Sequence, residues 1–128
     1  MKDIPRNVKV MGPVSEKELR ELYARCKAFI ITSRDEPFGI APLEAMASGK
    51  PVVAVKEGGG LGTAVDGITG LLVKPDIFEL QNAINIISRE PFKHKENCFE
   101  QARKFDVNIF LDKIKKEIED PNENCNIP

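Results

Sequence analysis

The chain has 128 residues, of which 41% are hydrophobic and 30% charged, with a formal net charge of -1. These values are ordinary for a single globular domain. The near-neutral charge argues against long-range attraction to nucleic acid or to an acidic membrane. No run of 18 apolar residues occurs, and the first residues lack the apolar core of a signal peptide, so we expect no membrane-spanning segment.

The cysteine and histidine patterns argue against disulfides and metal sites. The three cysteines are odd in number and far apart, and the single histidine, His94, has no ligand partner nearby in sequence. We therefore expect reduced thiols, a cytoplasmic protein, and no metal or other cofactor. The absence of Trp and the presence of only one Tyr also disfavour a stacking platform for single-stranded nucleic acid.

The first third of the chain predicts strands alternating with a helix. Residues 7–12, NVKVMG, alternate apolar side chains before a glycine and predict a strand. Ser15 and Glu18 form a capping box, so a helix should begin there, with Leu19, Leu22, Tyr23 and Cys26 on one face. Residues 28–32, AFIIT, form a continuous apolar run that is typical of a strand buried on both faces.

The middle of the chain predicts further alternation. Residues 40–48 predict a helix that ends before Gly49, where a glycine tolerates positive φ. Residues 51–55, PVVAV, predict a second buried strand, and residues 71–73 predict a short last strand after a glycine-rich loop. Asp76 and Glu79 are candidate caps of a helix whose apolar stripe would be Ile77, Leu80, Ile84 and Ile87.

After Glu90-Pro91 the pattern is helical. Cys98, Ala102 and Phe105 indicate one helix; a second, capped by Asp106, would carry Val107, Phe110, Ile114 and Ile118. About four strands alternating with helices predict an α/β fold, a Rossmann-like doubly wound parallel sheet followed by C-terminal helices. A complete lobe of this type usually has about six strands, so we expect an incomplete lobe over residues 1–120 and a flexible tail over 121–128.

Familiar phosphate-binding motifs are missing. The segment EGGGLGTAVDG lacks the third glycine of G-x-G-x-x-G, and Gly49-Lys50 lacks the remainder of a P-loop. No G-x-S-x-G motif occurs either. A dinucleotide oxidoreductase, an NTPase and a serine hydrolase are therefore disfavoured.

Two glutamates, Glu36 and Glu44, lie on either side of an apolar stretch at the start of a predicted helix. A helix N-terminus attracts anions, by roughly 0.3–1 kcal/mol at an exposed site, and Gly39 would let a diphosphate approach the backbone. Pro42 is tolerated if it lies in the first turn. Two acceptors beside an anion pocket suit a nucleotide sugar, which has hydroxyls at both ends of its diphosphate. Acids that only complement the helix dipole fit the same spacing, so both interpretations stay open.

The motifs and their order resemble family 4 of the retaining glycosyltransferases with the GT-B fold. SRDEPFGIAPLEAMASGKPVVA resembles that family's E-x(7)-E signature, and GGGLGTAVDGITGLLVKP resembles its double-glycine loop and following strand. Together with residues 7–33, the resemblance covers residues 7–85. It implies transfer of a hexose, with mannose as the specific candidate, from a GDP- or UDP-sugar to an acceptor. The full-length protein is expected to be cytoplasmic and peripheral to the membrane.

The resemblance assigns roles to individual residues. Glu36 matches the glutamate that contacts hydroxyls of the donor sugar and is the candidate catalytic residue; Glu44 matches the one that binds the ribose. Residues 12–14 match a segment near the nucleotide base. The other expected donor-binding residues provide backbone amides for the diphosphate or a close turn beside it: Phe38, Gly39, Ile40, Gly58 and Gly59.

Departures from the family pattern leave alternatives open. Gly62 and Ala64 stand where the family has a glutamate and a valine, which predicts a looser loop. Nothing matches the Arg and Lys that clamp the diphosphate, or the N-terminal acceptor lobe, so the chain alone is expected to be inactive. A noncatalytic module that binds a nucleotide sugar or a protein is the alternative, and a nucleotide-sugar epimerase is less favoured. An exposed sheet edge would permit self-association, or residues 7–12 would repack against 28–32.

Overall fold

The computed structural model describes residues 3–33, 40–56 and 62–119. Helices and strands alternate along the chain: α1 (Glu16–Arg25), β1 (Phe29–Ile31), α2 (Ile40–Ala47), β2 (Val52–Val55), β3 (Gly70–Val73), α3 (Ile77–Arg89), α4 (Lys95–Arg103) and α5 (Val107–Glu119). The predicted α/β class is confirmed. No helix in the described ranges is long and apolar enough to cross a membrane.

The sheet has three parallel strands in the order β1-β2-β3. Val53 of β2 is in register with Ile30 on one side and Leu71 on the other. All four residues of β2 are buried, as expected of a central strand with helices on both faces. The sequence therefore predicted the parallel sheet and the burial of β2 correctly. The prediction that residues 28–32 form a strand buried on both faces is wrong, because β1 pairs only with β2 among the described strands and Ile30 is 44% exposed.

The prediction of about four strands is wrong for the described residues, because residues 7–12 do not form one. The amide of Val8 donates a hydrogen bond to the Pro5 carbonyl at 2.9 Å, and Val8 and Val10 are about half exposed. A strand is stabilised by a partner ladder and a buried face, and neither is available to this segment. β1 pairs with β2 alone among the described strands, so the expected repacking of residues 7–12 on β1 does not occur either.

Helices cover the two faces of the sheet unequally. Val52 and Ala54 of β2 pack with Tyr23, Met46 and Cys98, which come from α1, α2 and α4. On the other face, Val53 packs with Ala83 and Ile87 of α3. The side with α1, α2 and α4 therefore holds the larger part of the core.

The predicted stripe of α3 was partly wrong. Ile77 is 74% exposed, whereas Ala83 and Ile87 are buried and Leu80 packs beside them. Residues 80, 83 and 87 follow the helical spacing of three and four that places side chains on one face. Ile77 lies in the first turn, away from the cluster that Val53 forms with this face.

The predicted helix ends are confirmed. The Ser15 hydroxyl accepts from the Glu18 amide at 3.2 Å, and the Glu18 carboxylate accepts from the Ser15 amide at 2.9 Å. Asp76 caps α3, and the Asp106 carboxylate accepts from the amide of Asn108 at 2.8 Å. Gly49 follows α2 with φ +73°, the conformation expected at a helix C-terminus.

Candidate functional site

Two of the predicted donor-binding residues, Ile40 and Glu44, lie within the described ranges. Ile40 is the first residue of α2 and is exposed, and Glu44 lies one turn further along the helix. Pro42 is buried in the first turn, where its missing N–H group interrupts no helical hydrogen bond. The other predicted residues lie outside the described residues: Glu36, Phe38, Gly39, Gly58 and Gly59.

Glu44 is held by a hydrogen bond from the neighbouring helix. The hydroxyl of Tyr23, on α1, donates to Glu44 Oε2 at 3.0 Å, and it lies 3.5 Å from the carbonyl oxygen of Ala41. The Tyr23 ring is buried against Phe29, with ring centroids 6.0 Å apart, and so cannot move freely. Glu44 itself is exposed. One carboxylate oxygen is thus fixed by Tyr23 and the other, Oε1, is available for a ligand.

The environment of Tyr23 keeps its hydroxyl protonated. Burial, followed by the hydrogen bond to Glu44 and the negative charge of that carboxylate, raises the pKa of Tyr23 to about 12 from its usual 10.0. Each of these influences disfavours the phenolate. Tyr23 therefore remains a hydrogen-bond donor to Glu44 at neutral pH.

Glu44 borders an open cavity of about 360 Å³ between α1 and α2, here called the α1–α2 cavity. Its walls combine apolar, acidic and basic side chains: Glu16, Leu19, Arg20, Tyr23, Glu44, Ala47 and Ser48. A volume of this size fits a small ligand, or one part of a larger ligand. The carboxylate of Glu44 offers an acceptor for ligand hydroxyls beside the apolar surface of Leu19.

The loop before β3 is firmly held where it is described. The side-chain amide of Gln101 donates to the Thr63 carbonyl at 2.9 Å, and His94 Nδ1 lies 2.9 Å from the Ile68 carbonyl. Ala64 is 7% exposed and belongs to the core. Residues 63–69 are therefore anchored by Gln101 and His94, whereas residues 57–61, to which the expectation of a looser loop also applies, lie outside the described residues. Gly62 has open space where a side chain would begin, so sterics do not require glycine there.

The residues in the described ranges include no group of three or more His, Cys, Asp or Glu side chains that could hold a metal ion. Sequence reasoning assigned Tyr23 to the core and missed its contact with Glu44. The hydroxyl group of Tyr23 on an otherwise apolar helix face could have indicated that this residue has a polar partner.

The chain matches known proteins over most of its length. Residues 2–105 match the family model described as glycosyl transferases group 1. An alpha-1,3/1,6-mannosyltransferase, ALG2, from Dictyostelium discoideum is 43% identical over 65% of the chain and 20% of its own length. The mouse ALG2 is 32% identical over 88% of the chain and 28% of its own length. The chain thus spans less than a third of each of these relatives.

Solved structures share the fold. Anabaena HepE in complex with UDP superimposes with a TM-score of 0.69 at 35% identity, over 77% of the chain and 29% of HepE. A sucrose-phosphate synthase from Thermosynechococcus elongatus superimposes with a TM-score of 0.73 at 30% identity, over 88% of the chain and 30% of its own length. On the family match and these similarities, the chain belongs to the group 1 glycosyl transferases, the family 4 enzymes of the GT-B fold.

Proposed function

We propose that this chain forms the donor-binding part of a retaining glycosyltransferase that transfers a hexose, mannose, from a nucleoside-diphosphate sugar to an acceptor. The observation that carries the proposal is the carboxylate of Glu44, fixed by Tyr23 at the border of the α1–α2 cavity. Relatives named as mannosyltransferases support the sugar, and the HepE structures with UDP and UDP-glucose support the donor class.

The geometry of Glu44 suits a ribose. Ribose hydroxyls are donors that a carboxylate accepts well, and each charge-assisted bond contributes about 1.5–3 kcal/mol. Tyr23 donates to Oε2, so Oε1 is left to accept from the ligand. In this proposal Glu44 anchors the nucleotide, and Tyr23 is a positioning residue that limits the loss of side-chain entropy on binding.

The remaining roles follow the motif order. The segment that ends at Ile40 would provide backbone amides to the diphosphate, where the N-terminus of α2 favours negative charge. Glu36 would hold hydroxyls of the donor sugar, and Gly58 and Gly59 would let their loop pass close to it. Catalysis would rest on positioning both substrates and stabilising the leaving diphosphate, without a covalent intermediate or an obligatory metal. The acceptor would be bound by a separate N-terminal lobe.

The test is a thermal-shift panel of UDP, GDP, ADP and their sugars on the folded chain. We expect one nucleotide series to raise the melting temperature and to identify the base. Glu44→Ala should lower the affinity of the chain for that nucleotide by about 10- to 100-fold, because a charge-assisted hydrogen bond is lost. Glu100→Ala, which removes an exposed glutamate from another helix, is the matched control.

A second arm separates the donor sugar from the nucleotide. In the full-length protein, Glu36→Ala should abolish transfer and leave UDP or GDP affinity intact. Unchanged turnover in this variant would show that Glu36 does not bind the donor sugar. If every nucleotide fails to bind the folded chain, the donor-binding role is wrong, and a module that binds a protein becomes the better account.

A further inference from the structure

A second concave surface lies beside the amino ends of β1 and β2. It has a volume of about 610 Å³, within the range of about 300–1,000 Å³ for small-molecule sites. We call it the basic groove and define it by four cations and two aromatic rings: Arg25, Lys27, Lys50, Lys95, Phe92 and Phe99. Only Ser48 also lines the α1–α2 cavity, so the two surfaces are otherwise built from different residues.

The charge of the basic groove is of one sign. Three separate segments supply its cations, and no carboxylate from the described part of the chain lines it. Within the described residues, ion pairs join Arg20 to Glu16 and Lys93 to Glu90, and none uses a cation of the groove. The whole chain has a net charge of -1, so this positive charge is local. A concave surface of one sign concentrates oppositely charged ligands.

Helix dipoles account for only part of this charge. Arg25 ends α1 and Lys50 follows α2, positions where cations complement the partial negative charge of a helix C-terminus. Lys95 is different, because it is the first residue of α4, where a cation opposes the dipole. Its ammonium lies over the Phe99 ring, 6.0 Å from the ring centre. An anionic ligand would offset the unfavourable interaction of Lys95 with the dipole of α4.

An exposed aromatic ring completes the groove. Phe92, in the turn between α3 and α4, is 75% exposed, whereas Phe99 is partly buried against Gly49. Rings that stand beside cations bind ligands with a flat, polarisable part as well as negative charge. Inorganic phosphate would use the cations and leave Phe92 in water.

We propose that the basic groove binds a nucleoside triphosphate at a site separate from the α1–α2 cavity, with the phosphates on the four cations and the base against the Phe92 ring. Lys27 and Lys50 lie just before β1 and β2, and Lys95 begins α4, so the cations that line the groove come from different elements. The size of the groove, its single sign of charge and its exposed ring each match one part of such a ligand.

Isothermal titration calorimetry of the 128-residue chain with ATP and with inorganic tripolyphosphate tests the charge requirement. The double variant Lys27→Glu/Lys50→Glu should raise the dissociation constants of both ATP and tripolyphosphate by at least about tenfold, since charge-assisted contacts are lost. Lys113→Glu/Lys115→Glu, two exposed lysines of α5, should change affinity by less than about twofold. Absence of ATP binding, or equal losses in the two double variants, would overturn the proposal.

Two further variants test the ring and the independence of the site. Phe92→Ser should raise the dissociation constant of ATP by about fivefold or more, because a base stacked on a ring contributes about 1–3 kcal/mol. The dissociation constant of tripolyphosphate, which has no base, should not change. Phe78→Ser, equally exposed at 75%, is the control. ATP affinity unaffected by Phe92→Ser contradicts the site. Glu44→Ala should leave ATP binding intact; if it abolishes ATP binding, ATP occupies the α1–α2 cavity and the basic groove is not its site.

Discussion

α4 and α5 are consecutive helices that differ in how far their apolar side chains are buried. α4 has nine residues and a polar sequence, yet Cys98 is fully buried and the helix packs against α2. α5 has thirteen residues and a clear apolar stripe, yet Val107, Phe110 and Ile118 are each at least 60% exposed. An amphipathic pattern therefore predicts that a helix forms, and the presence of a complementary surface decides whether it is buried.

The difference arises from side chains that bind backbone. His94, the N-cap residue of α4, and Cys98 and Gln101 within the helix are spaced by four and three residues. They contact the carbonyl oxygens of Ile68, Thr69 and Thr63, respectively. These carbonyls belong to the loop before β3. Buried carbonyl groups need donors, so α4 satisfies the loop while covering the sheet. The described part of α5 offers no comparable contact to the sheet.

The largest expected effect concerns Gly70, where the loop held by α4 enters β3. Its φ is +146°, and a side chain there would collide with the carbonyl oxygen of Val52. Gly70→Ala should lower the free energy of unfolding by more than about 4 kcal/mol, because β2 and β3 cannot pair around that atom without shifting. Urea denaturation followed by circular dichroism measures the loss. Gly62→Ala, with open space at its Cβ position, should be neutral; equal stability of both variants would contradict the rigid loop.

The next largest effect is the difference in stability lost when an apolar residue is truncated under α4 or on α5. Met46 of α2 is fully buried in the cluster that α4 covers, so Met46→Ala should lower the free energy of unfolding by about 2–5 kcal/mol. Ile118 of α5 is 72% exposed, so Ile118→Ala should change it by less than about 0.5 kcal/mol. Urea denaturation of both variants provides the measurement. A large loss for Ile118→Ala would show that α5 packs on a surface in solution, and the contrast between the helices would disappear.

The third effect is spectroscopic and tests the contact between α1 and α2. Tyr23 is the only tyrosine, so absorbance at about 295 nm follows its ionisation alone. We expect a midpoint near pH 12 in the folded chain, with Glu44→Gln lowering it by removing the negative charge. A raised pKa means that the associated stability is complete below about pH 10, the unfolded value, and is lost as the pH rises towards 12. A midpoint near 10 in the folded chain would disprove the contact.

The smallest effect concerns the hydrogen bond between Gln101 and the Thr63 carbonyl. Gln101→Ala should reduce stability by about 1 kcal/mol and speed amide exchange in residues 62–66, because one tie between α4 and the loop is lost. Asn97→Ala, an exposed change on the same helix, should alter neither. Exchange that stays unchanged in the Gln101 variant would mean that α4 holds the loop through its other contacts alone.

Local sequence signals predicted the elements well and their burial less well. The capping box at Ser15 and the glycine after α2 fix helix ends through neighbouring residues, so they could be read directly. The apolar run of β2 likewise identified a buried strand. Residues 7–12 have an equally good strand pattern, but a strand requires partners distant in sequence, which a local pattern does not contain.

The features of the candidate site were likewise predictable from the sequence only in part. The order of its motifs predicted the family and placed Glu44 one turn into α2, because helix spacing and turn glycines are local properties. The partner of Glu44 could not be predicted, since Tyr23 is 21 positions away in the chain and approaches only when α1 packs beside α2.

The sequence by itself therefore determined the helices, the three strands, the parallel sheet and the motif order, all of which depend on neighbouring residues and hydrophobic pattern. Tertiary structure alone decided which apolar faces are covered, which carbonyls α4 binds, and that a tyrosine orients the glutamate of the α1–α2 cavity. These properties depend on contacts between elements far apart in the chain, where packing and hydrogen-bond satisfaction select one arrangement.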